Sequence, residues 1–186
     1  WRDPRTGELR TRAMDVRSGK GLISAYAHPT RDYLRQRGLR LLRRLAQIEH
    51  SDAPKLAVAL LLQLDDGVHG ERRSREHWNY VDGRYQRRTR HLDGAAHWLL
   101  VPRLLLARFP GLRRSSQRTG SWWTDEPLDL TQPPAQRVDG EPALWDAHPE
   151  ALLDLALRSR STLVQWVVAR ALRDHLPFLA RTPLPT

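Results

Sequence analysis

The stretch that most constrains the fold is residues 149–175, which has the pattern of two amphipathic helices joined by a polar break. The break is Arg158-Ser-Arg-Ser161. One apolar stripe with the 3.6-residue period of an α-helix follows it, made of Leu163, Val164, Val167, Val168, Ala171 and Leu172. A helical hairpin of this kind cannot bury its apolar faces alone, so the pattern predicts further helices stacked on it.

A second helical hairpin is predicted over residues 28–66. Its first helix ends near residue 48, and its expected buried stripe consists of Leu34, Gly38, Leu41, Leu42, Leu45 and Ile48. Glycine inside a helix costs about 1 kcal/mol relative to alanine, so we expect Gly38 to allow close packing of a neighbour. Residues 56–64 are apolar nearly all round, which predicts a second helix buried between neighbours.

Residues 67–140 interrupt the helical pattern and are predicted to form a long insertion. Asp82-Gly83 is a strong signal for a two-residue turn, so residues 67–92 are expected to form a short basic hairpin or another ordered excursion. A helix is predicted over residues 93–109, kinked or divided at Pro102. The remaining thirty residues are loop-like, and we expect Trp122-Trp123 to hold them against the helices.

Two segments carry a family resemblance: HPTRDYLRQRGLRLLRRLA at residues 28–46, and GEPALWDAHPEALLDLALRSRSTLVQWVVARAL at residues 140–172. They resemble bacterial HEAT-repeat proteins of the large multi-domain type, whose relatives carry WGR domains or resemble molybdate-metabolism regulators. The resemblance implies an α-helical repeat scaffold and brings no catalytic residues. The chain contains no WGR tripeptide, so the DNA-end binding of that module is not carried over.

Together, the periodicity and the resemblance predict an all-α fold. We expect a HEAT-like helical-repeat stack, an α-α superhelix, over residues 28–186, after an irregular lead-in at residues 1–27. Within it, residues 28–66 form the first hairpin, residues 67–140 the partly irregular basic insertion, and residues 141–175 the last hairpin.

Composition narrows the setting of the chain. Its 186 residues include no cysteine, which fits a reducing compartment, and a cytoplasmic location is expected. No apolar run approaches the roughly 18 residues that a membrane span needs. The chain begins with Trp1 rather than methionine, so we expect a piece of a longer protein whose other domains are among its partners.

The sequence offers little for catalysis. It contains neither a GxSxG elbow nor a GxxxxGK[ST] loop, so we predict a non-enzyme without a cofactor. His91, Asp93 and His97 have spacing that a metal could use, but Asp93 is more simply a helix N-cap, and no metal site is predicted. An enzymatic alternative is a HEAT-like DNA glycosylase built on Trp122, Trp123, Asp125 and Glu126.

Charge supplies the main functional signal. The net charge is +10, and all 31 basic residues except Lys20 and Lys55 are arginine. One candidate nucleic-acid-binding cluster lies on the first helix, at Arg37, Arg40, Arg43 and Arg44. The other lies in the insertion, where arginines alternate with aromatic residues: Arg72, Arg73, Arg75, Trp78, Arg84, Tyr85, Arg87 and Arg88. Guanidinium groups suit phosphates and rings suit bases, although solvated faces and internal ion pairs account for the same pattern.

Three functions are therefore carried forward. The first is a non-catalytic helical-repeat scaffold for protein–protein or inter-domain interaction. The second is a module that binds DNA or RNA through the arginine helix and the basic insertion. The third is the glycosylase. No membrane partner is expected.

Overall fold

The computed structural model describes residues 28–69, 71–98, 100–114 and 121–183. The lead-in predicted for residues 1–27 lies outside them. The α-helices of the described residues are α1 (His28–Gln47), α2 (Asp52–Leu61), α3 (Asp66–His69), α4 (Val101–Leu104), α5 (Pro142–Ala147), α6 (Pro149–Arg158), α7 (Thr162–Leu172) and α8 (Leu176–Leu179). A short 3₁₀ helix, Arg173–His175, joins α7 to α8.

Four antiparallel strands form one sheet. They are β1 (Arg73–Val81), β2 (Arg84–Leu92), β3 (Leu112–Arg114) and β4 (Trp122–Thr124), arranged in the order β1-β2-β4-β3. The prediction of an all-α HEAT-like repeat stack is therefore wrong, because the insertion contributes this sheet and the fold mixes α and β structure.

The helices pack where apolar periodicity places them. Helix α6 begins at Pro149, where the fixed φ and missing N–H of proline suit a first helical turn. Helices α6 and α7 pack against each other, and α2 packs against α1, α5 and α6. The α7 stripe is buried throughout, with Val164 at 0% exposure, and it belongs to a core shared with α2, α4 and the sheet.

The buried stripe predicted for helix α1 is confirmed only in part. Leu42 is buried and Leu45 packs against the core as predicted, and Leu39 is buried as well. Leu34, Leu41 and Ile48 are exposed. The apolar residues of α1 occupy more than one side of the helix, so the sequence does not define a single buried face. Packing does not explain Gly38 either, because a Cβ at this position would meet no described atom within 4 Å.

The helix predicted over residues 93–109 is also wrong. Residues 94–97 form turns, and α4 spans only four residues, with Pro102 in its first turn. Proline here begins a helix rather than dividing one. Inside a helix it would lack the N–H that bonds the carbonyl four residues earlier, and its ring would clash with that carbonyl, whereas the first turn has no such bond to lose. The nearby Gly140 is required by close approach, since a Cβ there would lie 1.6 Å from the Arg103 carbonyl oxygen.

Trp122 holds the long connection against the helices, as predicted. Its side chain is fully buried, and its indole Nε1–H donates to the Ala95 carbonyl oxygen at 3.1 Å. The connection is not a plain loop, because Trp122–Thr124 is strand β4. Trp122 thereby fixes the base of the sheet to the helical core.

Asp66 joins the start of the insertion to the last hairpin. Its carboxylate accepts hydrogen bonds from Thr162 N (2.8 Å) and Thr162 Oγ1 (2.6 Å), at the first turn of α7. Burial raises the pKa of Asp66, but the hydrogen bonds from Thr162 and Ser161, together with the positive charge of Arg72, outweigh this effect and leave the pKa below its ordinary value.

Candidate functional site

Strands β1 and β2 form a long two-stranded hairpin. Each strand has nine residues, and the pairing runs without a break from Arg73 opposite Leu92 to Val81 opposite Arg84. Asp82 (φ 51°) and Gly83 (φ 76°) both have positive φ, which is typical of the type I′ turn that joins twisted strands most tightly. Every residue from Asp82 to Thr89 is exposed.

One side of this hairpin, hereafter the basic face, is strongly cationic. Directly opposed residues of an antiparallel pair point to the same side, and alternate residues along a strand share that side. The register therefore places five arginines together, namely Arg73, Arg75, Arg84, Arg88 and Arg90. His77, Asn79 and Gln86 lie between them, and no carboxylate residue occupies this side of either strand.

Among the described residues, no carboxylate neutralises the basic face, because none of its five arginines forms an ion pair with one. Arg75 lies directly opposite Arg90. Like charges in directly opposed positions destabilise a strand pair, so this arrangement is a local cost to folding.

One of the five arginines, Arg90, is held by an aromatic ring. Its guanidinium carbon lies 4.1 Å from the ring centroid of Trp123. A cation over an indole face is attracted by the ring quadrupole, and the charge is retained. Arg90 Nε and His77 Nδ1 are buried atoms without a hydrogen-bond partner among the described residues.

The opposite side of the hairpin, hereafter the aromatic face, carries Trp78, Tyr80 and Tyr85. These side chains are 66%, 66% and 72% exposed, respectively. The two tyrosine rings meet edge to face with centroids 5.0 Å apart. Arg87 also lies on this face, where it pairs with Glu76.

The structure does not bring all the predicted arginines together. Arg72 precedes β1 and pairs with Asp93 at 3.1 Å, and Arg87 is partly neutralised by Glu76. The predicted residues Arg73, Arg75, Arg84 and Arg88 share the basic face, whereas Trp78 and Tyr85 lie on the aromatic face.

The α1 cluster is exposed but belongs to a different neighbourhood. Arg37, Arg40, Arg43 and Arg44 are all exposed. Arg43 donates to Glu141 at 3.1 Å. Burial, followed by repulsion from Arg43 and Arg114, lowers the pKa of Arg103. Arg114 ends β3, which is the edge strand of the sheet on the side away from β1.

Arg90 and Tyr80 belong to the same run of arginines and aromatic residues in the insertion. Alternation outward from the Asp82-Gly83 turn places Arg90 on the basic face and Tyr80 on the aromatic face. Trp123 was expected to anchor a loop or to belong to the glycosylase alternative, and its contact with Arg90 was not predicted.

A small cavity of about 220 Å³ lies at the base of the hairpin, lined in part by Ser74, His91 and Thr124. Ser74 Oγ and His91 Nδ1 are 2.9 Å apart. The nearby Asp93 carboxylate bonds Arg72 and the Ala95 N–H, as a local cap does, and no described carboxylate bonds His91. The cavity therefore does not contain a serine–histidine–carboxylate triad.

The other predicted chemical arrangements can be located too. Within the described ranges, no group of three or more His, Asp or Glu side chains is close enough to hold a metal ion. In the glycosylase arrangement, Trp122 is enclosed in the core and Asp125 pairs with Arg113 at 2.8 Å. An enclosed ring offers no face to an extruded base.

An ionic cluster around Arg137 has a structural role. Arg137 pairs with the buried Asp139 at 2.8 Å and with Asp146, which also bonds His175 at 3.1 Å. Burial lowers the pKa of Arg137, but the two carboxylates outweigh this effect and raise it above its ordinary value. The cluster ties the segment before α5 to α5 itself and to the 3₁₀ helix that follows α7.

No helix among the described residues is long and apolar enough to cross a membrane. No protein-family model, curated protein or solved structure matches the chain. The resemblance to HEAT-repeat proteins thus stays a prediction, and the four-stranded sheet contradicts the all-α fold that it implied.

Proposed function

We propose that the chain binds nucleic acid through the basic face of the β1–β2 hairpin. The observation that carries the proposal is that the exposed Arg75 directly opposes the half-buried Arg90, while the exposed Arg73, Arg84 and Arg88 share their side of the hairpin and no carboxylate residue of either strand does. Opposed like charges weaken a strand pair, so a bound polyanion is the partner that turns this arrangement into a favourable one.

The dimensions of the ribbon agree with this partner. Alternate arginines along one strand are spaced about 6.7 Å apart, and the two strands are about 4.8 Å apart. The major groove of B-form DNA, about 12 Å wide, admits a two-stranded ribbon of this kind. Arginine also offers forked donors to phosphate oxygens and to the guanine edge.

The test is salt-dependent binding of a labelled duplex of about 20 base pairs, measured by fluorescence anisotropy. If all five arginines contact phosphates, log K should fall with log salt at a slope of about −4.5. In a variant with Arg84, Arg88 and Arg90 changed to Gln, the slope should be shallower by about 2.7, because three phosphate contacts are removed.

A matched control separates the hairpin from the α1 cluster. Changing Arg37, Arg40 and Arg44 to Gln removes the same charge from α1, and the slope should change by less than about one. Absence of binding at about 50 mM salt would refute the proposal, as would an equal loss in both triple variants.

A protein-binding scaffold stays as a second proposal because the packed helices α2 and α6 line a surface groove. The groove has a volume of about 560 Å³, and its apolar lining includes Pro54, Val58, Leu62 and Ala151. A partner held there should survive moderate salt in a pulldown and should be unaffected by the hairpin variant. A partner lost together with nucleic acid would contradict this second proposal.

A further inference from the structure

The aromatic face presents rings that the described residues leave largely uncovered. Trp78, Tyr80 and Tyr85 are each about two-thirds exposed, and no described ring packs on Trp78. The Tyr80–Tyr85 contact supports the hairpin near its turn, yet it leaves both side chains mostly in water. Exposed rings beside arginine are the chemistry on which unpaired bases stack, because every base has a π-face.

The two faces lie back to back on a ribbon one backbone layer thick. Trp78 pairs with Arg87 on one side, while its strand neighbour His77 pairs with Arg88 on the other. A single strand following one face cannot reach the other without crossing the edge of the ribbon. A continuous duplex keeps its bases stacked inside, so it has none to offer the aromatic face.

A junction between paired and unpaired nucleic acid supplies both surfaces at once. There the phosphates of the paired part lie on one side, and splayed bases lie on the other. The narrow turn at Asp82-Gly83 makes the tip of the hairpin only two residues wide, which suits insertion between diverging strands.

We propose that the hairpin recognises such a fork, with its basic face along the duplex backbone and its aromatic face stacked on the first unpaired bases. This inference rests on the proposed nucleic-acid binding and specifies its substrate. Base stacking is tolerant of sequence, so preference is for structure rather than for a particular sequence.

The test compares three probes on the full chain: a duplex, a single strand, and a fork made of the same duplex with two non-complementary arms. The fork should bind at least about tenfold more tightly than either of the others. Changing Trp78 and Tyr85 to Ala should weaken fork binding by roughly 5- to 150-fold for each ring that stacks. The same change should alter duplex binding less than about twofold. Changing both residues to Phe keeps a ring at each position and should retain most of the preference.

A base analogue reports the stacking directly. 2-Aminopurine placed in an arm beside the junction should lose fluorescence when the protein binds, and the same analogue inside the duplex should not. Equal binding of fork and duplex would overturn this inference while leaving nucleic-acid binding intact. Equal weakening of fork and duplex by the alanine changes would overturn it too, and binding to none of the probes would overturn both proposals.

Discussion

Replacing Arg75 by glutamate should stabilise the protein and weaken nucleic-acid binding at the same time. In the folded protein, Arg75 lies directly opposite Arg90 and diagonally opposite Arg88. Directly opposed charges contribute roughly 0.2–1 kcal/mol, unfavourable for like charges and favourable for opposite ones. Since Arg75 is exposed, solvent screening reduces the gain, and we expect Arg75→Glu to add about 0.5–1 kcal/mol to the free energy of unfolding.

For a chain of 186 residues, this gain corresponds to a rise in Tm of about 1–4 °C. Thermal melts followed by circular dichroism would measure it at low and at high salt. The rise should shrink at about 1 M salt, where the screening length falls to about 3 Å. In the anisotropy assay, the same variant should lose at least about tenfold in affinity near 0.1 M salt, because one phosphate contact is replaced by repulsion.

Arg84→Glu is the matched control, since Arg84 opposes Val81 rather than another cation. It makes the same change of charge on the same face and should weaken binding without a comparable rise in Tm. A lower Tm for Arg75→Glu would refute the assignment of opposed like charges. A higher Tm with undiminished binding would show that the basic face is not the interface.

Three further predictions concern the scaffold that carries the hairpin. Gly140→Ala should lower the free energy of unfolding by about 3 kcal/mol or more, because the added Cβ collides with the backbone of α4. Gly38→Ala should raise the free energy of unfolding by about 1 kcal/mol, because alanine favours the helix and its Cβ meets no described atom. Urea denaturation measures both changes. Trp122→Ala should cost about 3–5 kcal/mol in the same assay, since a fully buried indole is removed. Asp66 has a lowered pKa in the folded state, so its charge stabilises the protein above about pH 5, and this contribution is lost as the pH falls below about 4. The difference in stability between the wild type and Asp66→Asn should therefore shrink on acidification, and a difference that grows below pH 4 would contradict the role of the Thr162 hydrogen bonds.

The helical part of the fold could be predicted because burial leaves a strong periodic signal. Helices α6 and α7 alternate apolar and polar residues at the helical period, and their apolar residues are those that the structure buries. For the arginine-rich α1, the helix was predicted correctly but its buried face only in part, because its leucines lie on more than one side.

The sheet was predicted only in part, as a hairpin that was one of two expectations for residues 67–92, because its strands lack the signal that strands usually carry. Half-buried strands show alternating apolar and polar residues, but in β1 and β2 charged and polar residues outnumber apolar ones on both sides. Strands β3 and β4 have three residues each, too few for any pattern. Only the Asp82-Gly83 turn indicated a hairpin, and without the register it could not separate the basic face from the aromatic face.

Stability and recognition occupy different parts of this molecule. The buried Trp122, the hydrogen bonds between Asp66 and Thr162 and the helical core act at the base of the hairpin, whereas every residue from Asp82 to Thr89 is exposed. A ribbon that contributes little to the core can carry opposed cations and uncovered rings, because their cost is small beside the apolar burial at its base. The same separation explains why charge and ring changes near the tip should alter binding without unfolding the protein. The arginines of the basic face and the rings of the aromatic face lie mostly outside the core, and this is the physical reason for proposing that they bind a partner rather than stabilise the fold.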